Sequence, residues 1–471
     1  MSDAQTAPVT QVNAPSGSGW AWHIKRTLIL AGPLILSRVG LLLMTTLDVV
    51  VVGRAGAQEL AYYVLGYAVL DSLLAVMAGL QLGVPVLTAR SIGQGKPQLA
   101  AIIWKRGVIL CLVAGVAAAA FLQFAPAFFL ATGQEPELAR EGGAVTALLA
   151  LSLPFSALFL VSAMFLEALE KPLYATAAVM VANVFNLVLS IVFVFGAGPI
   201  PAMGAWGCAL ATVITSAGLG IGLACFVRFG LKGRNEFGFA KILDRTEVAS
   251  APASEQRRLG YAAGASYGLE AASFAGVTIL AGLLGVIGLA AMGVLFQLFA
   301  LTFMISFGIA GATQVRVGNA WGRGDPVGMA QAGWVGFGLS VIISVSVSAA
   351  YVVAPRFFAG LLTNDAAVLA ATQTVMIWMV LALLTDGGQC VLNHACRGRG
   401  DTWVPTAFHV VSYWVIMLPL AWWLAIARDG GASGLYQAIL VSTFVSMLAM
   451  GARFILLSRD GLPDGAKPAL S

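Results

Sequence analysis

Charge is scarce in this sequence. Only 10% of its 471 residues are Asp, Glu, Lys or Arg, whereas ordinary soluble domains carry about 25%. Hydrophobic residues make up 59%, and the mean hydropathy is +0.90. No water-soluble core could hide that much apolar sequence, so the expected solvent is lipid. Cysteine is also scarce. Cys111, Cys208, Cys225, Cys390 and Cys396 form no Cys-x-x-Cys pair and fall in or at the ends of apolar segments, where small hydrophobic packing is their ordinary use. Three histidines are too few and too scattered for a metal centre, and none is expected even where His394, His409 and Cys396 lie close in sequence. There is no nucleophile–base constellation, phosphate-binding loop or His-Glu-x-x-His, which argues against an enzyme. The net charge of +5 sits in short loops between apolar runs and does not point to nucleic acid.

What the chain does have is apolar runs of spanning length. They cover 27–53, 59–89, 107–131, 142–168, 172–196, 204–228, 259–285, 288–319, 330–354, 366–396, 404–427 and 433–457. A spanning helix needs roughly 20 apolar residues. The runs are too long for barrel strands, and open sheet edges cannot face lipid, so all twelve are expected to be helices. Pro33, Pro85, Pro154 and Pro419 should bend them rather than break them. The polar segment 1–26 reads as a disordered tail, with no signal peptide, and 458–471 as a second tail. The longest charged loop, 229–258, divides the runs into a lobe at 27–228 and a lobe at 259–457.

Orientation follows from lysine and arginine. With the N-terminus in the cytoplasm, only Arg54, Arg140, Arg356 and Arg428 fall outside. Arg38 lies within the first run, and every other Lys and Arg falls inside. Both termini are thus expected in the cytoplasm, with the chain in a bacterial-type inner membrane.

The halves also repeat. Ser91-Ile-Gly-Gln-Gly-Lys-Pro97 follows the second run and Ala320-Trp-Gly-Arg-Gly-Asp-Pro326 the eighth, an offset of 229. At the same offset Gly53, Gly56 and Leu60-Ala61 match Gly282, Gly285 and Leu289-Ala290. Each half has an even number of spans, so both cross the membrane the same way, with a central cavity expected between them.

A charge at mid-membrane costs at least about 2.5–3.5 kcal/mol, so each one needs a reason. Asp48 shares a helical face with Ser37, Leu41 and Thr45. Glu270 sits between Ser266 and Ser273, and Asp386 heads a stripe with Gln389, Asn393 and Arg397. Asn183, Asn186 and Ser190 form a fourth stripe. These faces should line a wet interior or meet one another. Asn and Ser can also serve as interhelical glue. The acids are the candidates for proton exchange or Na⁺ binding, since a carboxylate out of water holds a proton more readily. Phe296, Phe299 and Phe303 could offer ring faces to a lipophilic cation or simply pack. Arg38 lies about 16 Å into the first run from inside, and Asp71 about 18 Å into the second from outside. In a core about 30 Å thick these depths nearly coincide, so a structural ion pair between them is expected.

At these residues the sequence resembles the multidrug and toxic compound extrusion family over nearly all of 27–457. The features that carry the likeness are Gly32-Pro-Leu-Ile-Leu-Ser37, Leu47-Asp48, Val52-Gly53-Arg54, the two Gly-x-Gly turns, and Arg397-Gly-Arg-Gly-Asp-Thr402 with Pro405. The resemblance implies twelve helices in two six-helix lobes around a central cleft. It also implies export of organic cations and amphipathic compounds in exchange for Na⁺ or H⁺, with no other cofactor. It assigns coupling-ion binding to Asp48, Asn186 and Thr212, and in the second lobe to Glu270 and Asp386, the acids of the NorM-like branch. Ser190 stands where many members have an acid, so the first lobe lacks one carboxylate. Asn183, Ser266, Gln389, Asn393, Phe299 and Phe303 are the expected cavity-lining residues. A monomer suffices for such a mechanism. The runner-up is a flippase for a lipid-linked saccharide, which should show a cationic cleft. A channel is a third reading, although no repeated pore loop is present.

Overall fold

In lipid the backbone finds no water to bond its amides, so each apolar run must close its hydrogen bonds internally. The computed structural model describes residues 19–131, 133–240 and 253–459, and every extended element among them is a helix. The spanning helices are α1 (Trp20–Ala55), α2 (Gln58–Gly93), α3 (Pro97–Leu122), α4 (Pro136–Ala150 with Leu153–Ala168), α5 (Leu173–Phe195) and α6 (Gly204–Gly230). The second half supplies α7 (Ala253–Gly282), α8 (Ile287–Gly322), α9 (Pro326–Val353), α10 (Ala366–Arg399), α11 (Trp403–Ala427) and α12 (Gly431–Arg459). Among the described residues ten of these are long and apolar enough to cross a membrane alone, and the two pieces of α4, bent by 40°, make an eleventh. With 30 residues α7 is long enough, but Glu255, Arg257, Arg258 and Glu270 lower its hydropathy. The protein is a twelve-helix, multi-pass membrane protein.

Some boundaries differ from expectation. Helix α1 starts at Trp20, inside the expected tail, and α7 starts at Ala253, inside the expected linker. Both extensions are held by polar contacts that hydropathy does not register. Arg316 Nη1 donates to the His23 carbonyl (2.8 Å), and Arg90 pairs with Glu255 (2.7 Å). The expected disorder of the two tails concerns mainly 1–18 and 460–471, which lie outside the described residues, as do 241–252 of the linker.

Each half has its own core. Val52, Tyr63, Ile103, Leu149 and Phe165 belong to the first, and Leu295, Met379, Tyr413 and Ile439 to the second. A third cluster joins them, with Leu30, Leu34 and Ala89 against Ile309, Ala312 and Val315. The lobes meet at small residues. A Cβ added at Gly79 would strike the backbone of Ala263 and Gly264, one at Gly260 the Leu80 carbonyl, and one at Gly308 the backbone of Ile35. Gly93 and Gly322 are in mutual backbone contact at the end of α2 and α8. These contacts lie towards the face that carries both ends of the chain, called here the terminal face. On the far side Gly53, Gly282, Gly285 and Gly293 meet nothing from the other lobe. The lobes are therefore closed at the terminal face and parted opposite it.

The repeat extends to backbone detail. Gly95 and Gly324 are both left-handed, at φ +70° and +71°. Around them Lys96 donates its N–H to the Ser91 carbonyl (2.9 Å), and Asp325 donates to that of Ala320 (3.0 Å). A side chain at either position would be strained, which is why glycine recurs there.

Candidate functional site

In the first lobe α1, α2, α5 and α6 bring four polar side chains together. Asp48 is buried and accepts three hydroxyl donors: Ser190 Oγ (2.9 Å), Thr212 Oγ1 (3.1 Å) and Tyr63 Oη (3.2 Å). Asn186 is one turn before Ser190 on the same face of α5. It is fully buried, and neither atom of its amide has a partner among the described residues. A carboxylate, two hydroxyls and a free amide oxygen suit a hard cation such as Na⁺. Asn183 instead bonds the Gly40 carbonyl on α1 (3.0 Å), so its amide nitrogen serves as interhelical glue.

In the second lobe the polar residues form a directed chain. Gln389 Nε2 donates to Asp386 Oδ1 (3.2 Å) and to Tyr413 Oη (3.0 Å). Tyr413 in turn donates to Glu270 Oε1 (3.3 Å). That leaves Gln389 Oε1 to accept from His409 Nε2 (3.1 Å). His409 Nδ1 then accepts from Ser266 (2.8 Å), whose oxygen accepts from Arg397 Nη2 (2.9 Å). This tautomer is neutral, so the 3.7 Å approach of His409 Nδ1 to Glu270 is no ion pair. The Asn393 amide lies 3.1 Å from His409 Nε2 and, turned so that its otherwise unpartnered Oδ1 faces the ring, gives that N–H a second acceptor. Arg397 is fully buried and stacks over Tyr267 with its Cζ 4.7 Å from the ring centroid. Donors thus run from one buried cation to both carboxylates, Asp386 buried and Glu270 half-buried. Residues 410–417 of α11 are π-helical, and this wider turn aims Tyr413 inward.

Two cavities in the cleft between the lobes carry these sites. One, of about 440 Å³, is lined by Glu270, Asp386, Gln389, Asn393 and the rings of Phe296, Phe299 and Phe303. The other, of about 300 Å³, is lined by Asp48, Thr45, Tyr67 and Thr212. Asp71, Met304 and Phe307 belong to both. Ser266, Asn186 and Ser190 stand behind these walls.

The expected ion pair between Arg38 and Asp71 is not formed. Arg38 Nη2 lies 3.0 Å from Glu167 Oε1, with both residues buried, while Asp71 is exposed in the cleft. Matching depth fixed one coordinate, but the rotation of each helix about its axis decides the partner. Glu167 sits at the end of its apolar run, where hydropathy gives no sign that its carboxyl is buried. Tyr63, Tyr413 and His409 also escaped sequence reasoning, because aromatic and imidazole groups in apolar runs look like packing.

The chain is similar to known proteins over nearly its full length. Residues 33–192 and 263–423 each match the MatE family, one stretch in each half. The Probable multidrug resistance protein NorM of Caulobacter vibrioides is 36% identical over 431 residues, 91% of either chain. The NorM of Rhodopseudomonas palustris is 30% identical and spans 98% of this chain and 99% of its own. Among solved structures, the eukaryotic MATE transporter AtDTX14 superposes with a TM-score of 0.85 at 18% identity, covering 94% of this chain and 98% of that one. An outward-facing multidrug resistance MATE family transporter gives 0.82 at 19% identity, covering 92% and 96%. These structures share the arrangement of twelve helices in two lobes. On the match in both halves and the extent of the NorM likeness, the chain belongs to the MatE family, a family of transporters rather than enzymes.

Proposed function

We propose that this protein exports amphipathic organic compounds, cations foremost, from the cytoplasm in exchange for external Na⁺ or H⁺, by alternating access. The multidrug resistance role in the names of the bacterial relatives supports this reading. The observation that carries it is the pair of carboxylates of Glu270 and Asp386, linked through Tyr413 and Gln389 on a cleft wall that also presents phenylalanine rings. A coupling ion at these acids, with Asp48, Asn186, Ser190 and Thr212 as a second site, would favour the state open away from the terminal face. The excess of Lys and Arg at the terminal face supports reading that face as the cytoplasmic one. An incoming substrate would displace the ion, since a ligand shifts such an equilibrium only by its differential affinity. One chain holds the whole cleft, so a monomer in the inner membrane suffices.

The cleft's acids, Asp48, Asp71, Glu270 and Asp386, outnumber its cations, and Arg38 is already paired with Glu167. That balance suits cationic cargo and weighs against a lipid-linked saccharide flippase. The test is efflux of a fluorescent lipophilic cation under imposed Na⁺ and pH gradients, comparing wild type with Glu270→Gln and Asp386→Asn. Gradient-driven efflux that either variant loses at normal expression is expected. Absence of efflux by the wild type across a panel of cations would favour the flippase instead.

A further inference from the structure

Apart from the cleft, a pocket of about 130 Å³ lies at the terminal face, walled by both lobes. The first lobe gives Trp22, His23 and Arg26 of α1, and the second gives Arg316 and Asn319 of α8 with Arg323 just after its end. Two guanidiniums lie over the Trp22 ring, Arg26 at 5.8 Å and Arg316 at 5.5 Å from its centroid. Arg316 is buried and held by the His23 carbonyl (2.8 Å), His23 Nδ1 (2.7 Å) and Thr27 Oγ1 (2.5 Å), all neutral. Among the described residues none of the three arginines has a carboxylate within 4 Å. Glu170, the carboxylate on the wall, accepts from Asn319 Nδ2 (3.2 Å), and nearby Asp325 caps α9 through the Gly328 N–H (2.8 Å). His23 Nε2 and Asn319 Oδ1 are buried without partners. Three guanidiniums on this wall face a single carboxylate, that of Glu170, and a buried cation so incompletely balanced is costly, so an anion in this pocket has much to gain.

The surroundings decide which anion. Ile29 and Leu173, also on the wall, are exposed large apolar side chains. Trp20, exposed one turn before Ile24, and Trp22 mark the level where tryptophan meets headgroups. A soluble phosphate would have no use for the apolar rim, whereas a phospholipid would. Basic pockets between spanning helices at the cytoplasmic side are known to take anionic headgroups. We propose that this pocket binds the phosphodiester of an anionic phospholipid, with its acyl chains along Ile29 and Leu173. Because Arg26 and the pair Arg316 and Arg323 belong to different lobes, the bound headgroup clasps the lobes together at the terminal face. Anionic lipid is thus an effector of the transport cycle as well as a solvent.

The test uses the full-length protein in nanodiscs of phosphatidylcholine, with and without phosphatidylglycerol. The variants are Arg26→Gln and Arg323→Gln, which sit on the rim and leave buried Arg316 in place. Native mass spectrometry is expected to find phosphatidylglycerol retained by wild type and lost from both variants. Spin labels on α1 and α8 at the far side should report a larger share of the terminal-closed state with phosphatidylglycerol, in wild type only. Unchanged unfolding in phosphatidylcholine alone would establish that the variants fold. Equal retention by wild type and variants would overturn the proposal. So would soluble glycerol phosphate reproducing the distance change in phosphatidylcholine discs, since the apolar rim would then have no part.

Discussion

Arg38 lies 3.0 Å from Glu167 inside the first lobe, and the second lobe fills the equivalent place with Arg397 over Tyr267, 4.7 Å away. The turns after α4 and α10 fix the equivalence. Glu170 donates its N–H to Glu167 (2.9 Å) just as Gly400 donates to Arg397 (2.8 Å), and both residues are left-handed. Each half keeps one buried arginine at this level, but the first carries it on its first helix and the second on its fourth. The first answers it with a carboxylate and the second with an aromatic ring. The two arginines thus differ in how they can be neutralised, and only Arg397 is wired to the carboxylates of a cleft site.

The Arg38–Glu167 pair should be structural. Removing one partner of a buried pair leaves a stranded charge and typically costs about 3–5 kcal/mol. Arg38→Met and Glu167→Met should each lose folded protein in a thermal unfolding assay, and the double variant should regain most of it. Asp71→Asn should unfold like wild type. A stable Arg38→Met protein would remove this account.

Ser190 should matter to the first-lobe site through Asp48. Hydrogen bonds to a charged group are worth about 1.5–3 kcal/mol, so Ser190→Ala should weaken Na⁺ binding at that site by about tenfold or more if the carboxylate is ionised there. Ser190→Asp should strengthen it. Isothermal titration with Na⁺, with Glu270→Gln and Asp386→Asn introduced to silence the other lobe, separates these outcomes from no effect.

Tyr413 is a positioning residue for Glu270. Tyr413→Phe keeps the ring, which packs 5.9 Å from Phe274, and removes the hydroxyl between Gln389 and Glu270. The expected result is a lowered turnover and a changed Na⁺ or pH dependence, with the KM for substrate close to wild type. An altered KM with unchanged ion dependence would instead place Tyr413 in substrate contact.

Closure of the terminal face should depend on Arg90. It pairs with Glu255 of the other lobe (2.7 Å) and donates to the Arg399 carbonyl (3.3 Å). The pair is partly exposed, and exposed pairs contribute only about 0–1 kcal/mol, so Arg90→Gln should open this face a few-fold at most. Gly322→Val should act more strongly, because its side chain would collide with the Arg90 carbonyl. Interlobe distances from paired spin labels check both, and a closed face in Gly322→Val would contradict the packing described here.

The span count, the repeat and the residues that must leave lipid are all carried by the linear pattern of the chain. Those features follow from one-dimensional quantities: run length against bilayer thickness, and the cost of a charge at a given depth. The stripe through Asp386, Gln389, Asn393 and Arg397 was legible because helical spacing alone puts them on one face. Tertiary structure decided the rest. Which acid answers Arg38, how Tyr413 and His409 enter the carboxylate network, and where the lobes touch all depend on the rotation and bending of helices against one another. Depth is a property of a residue's place in its own helix, but a partner is a property of two helices. Side-chain interactions fall off within a few ångströms, so a change in helix rotation is enough to exchange Asp71 for Glu167.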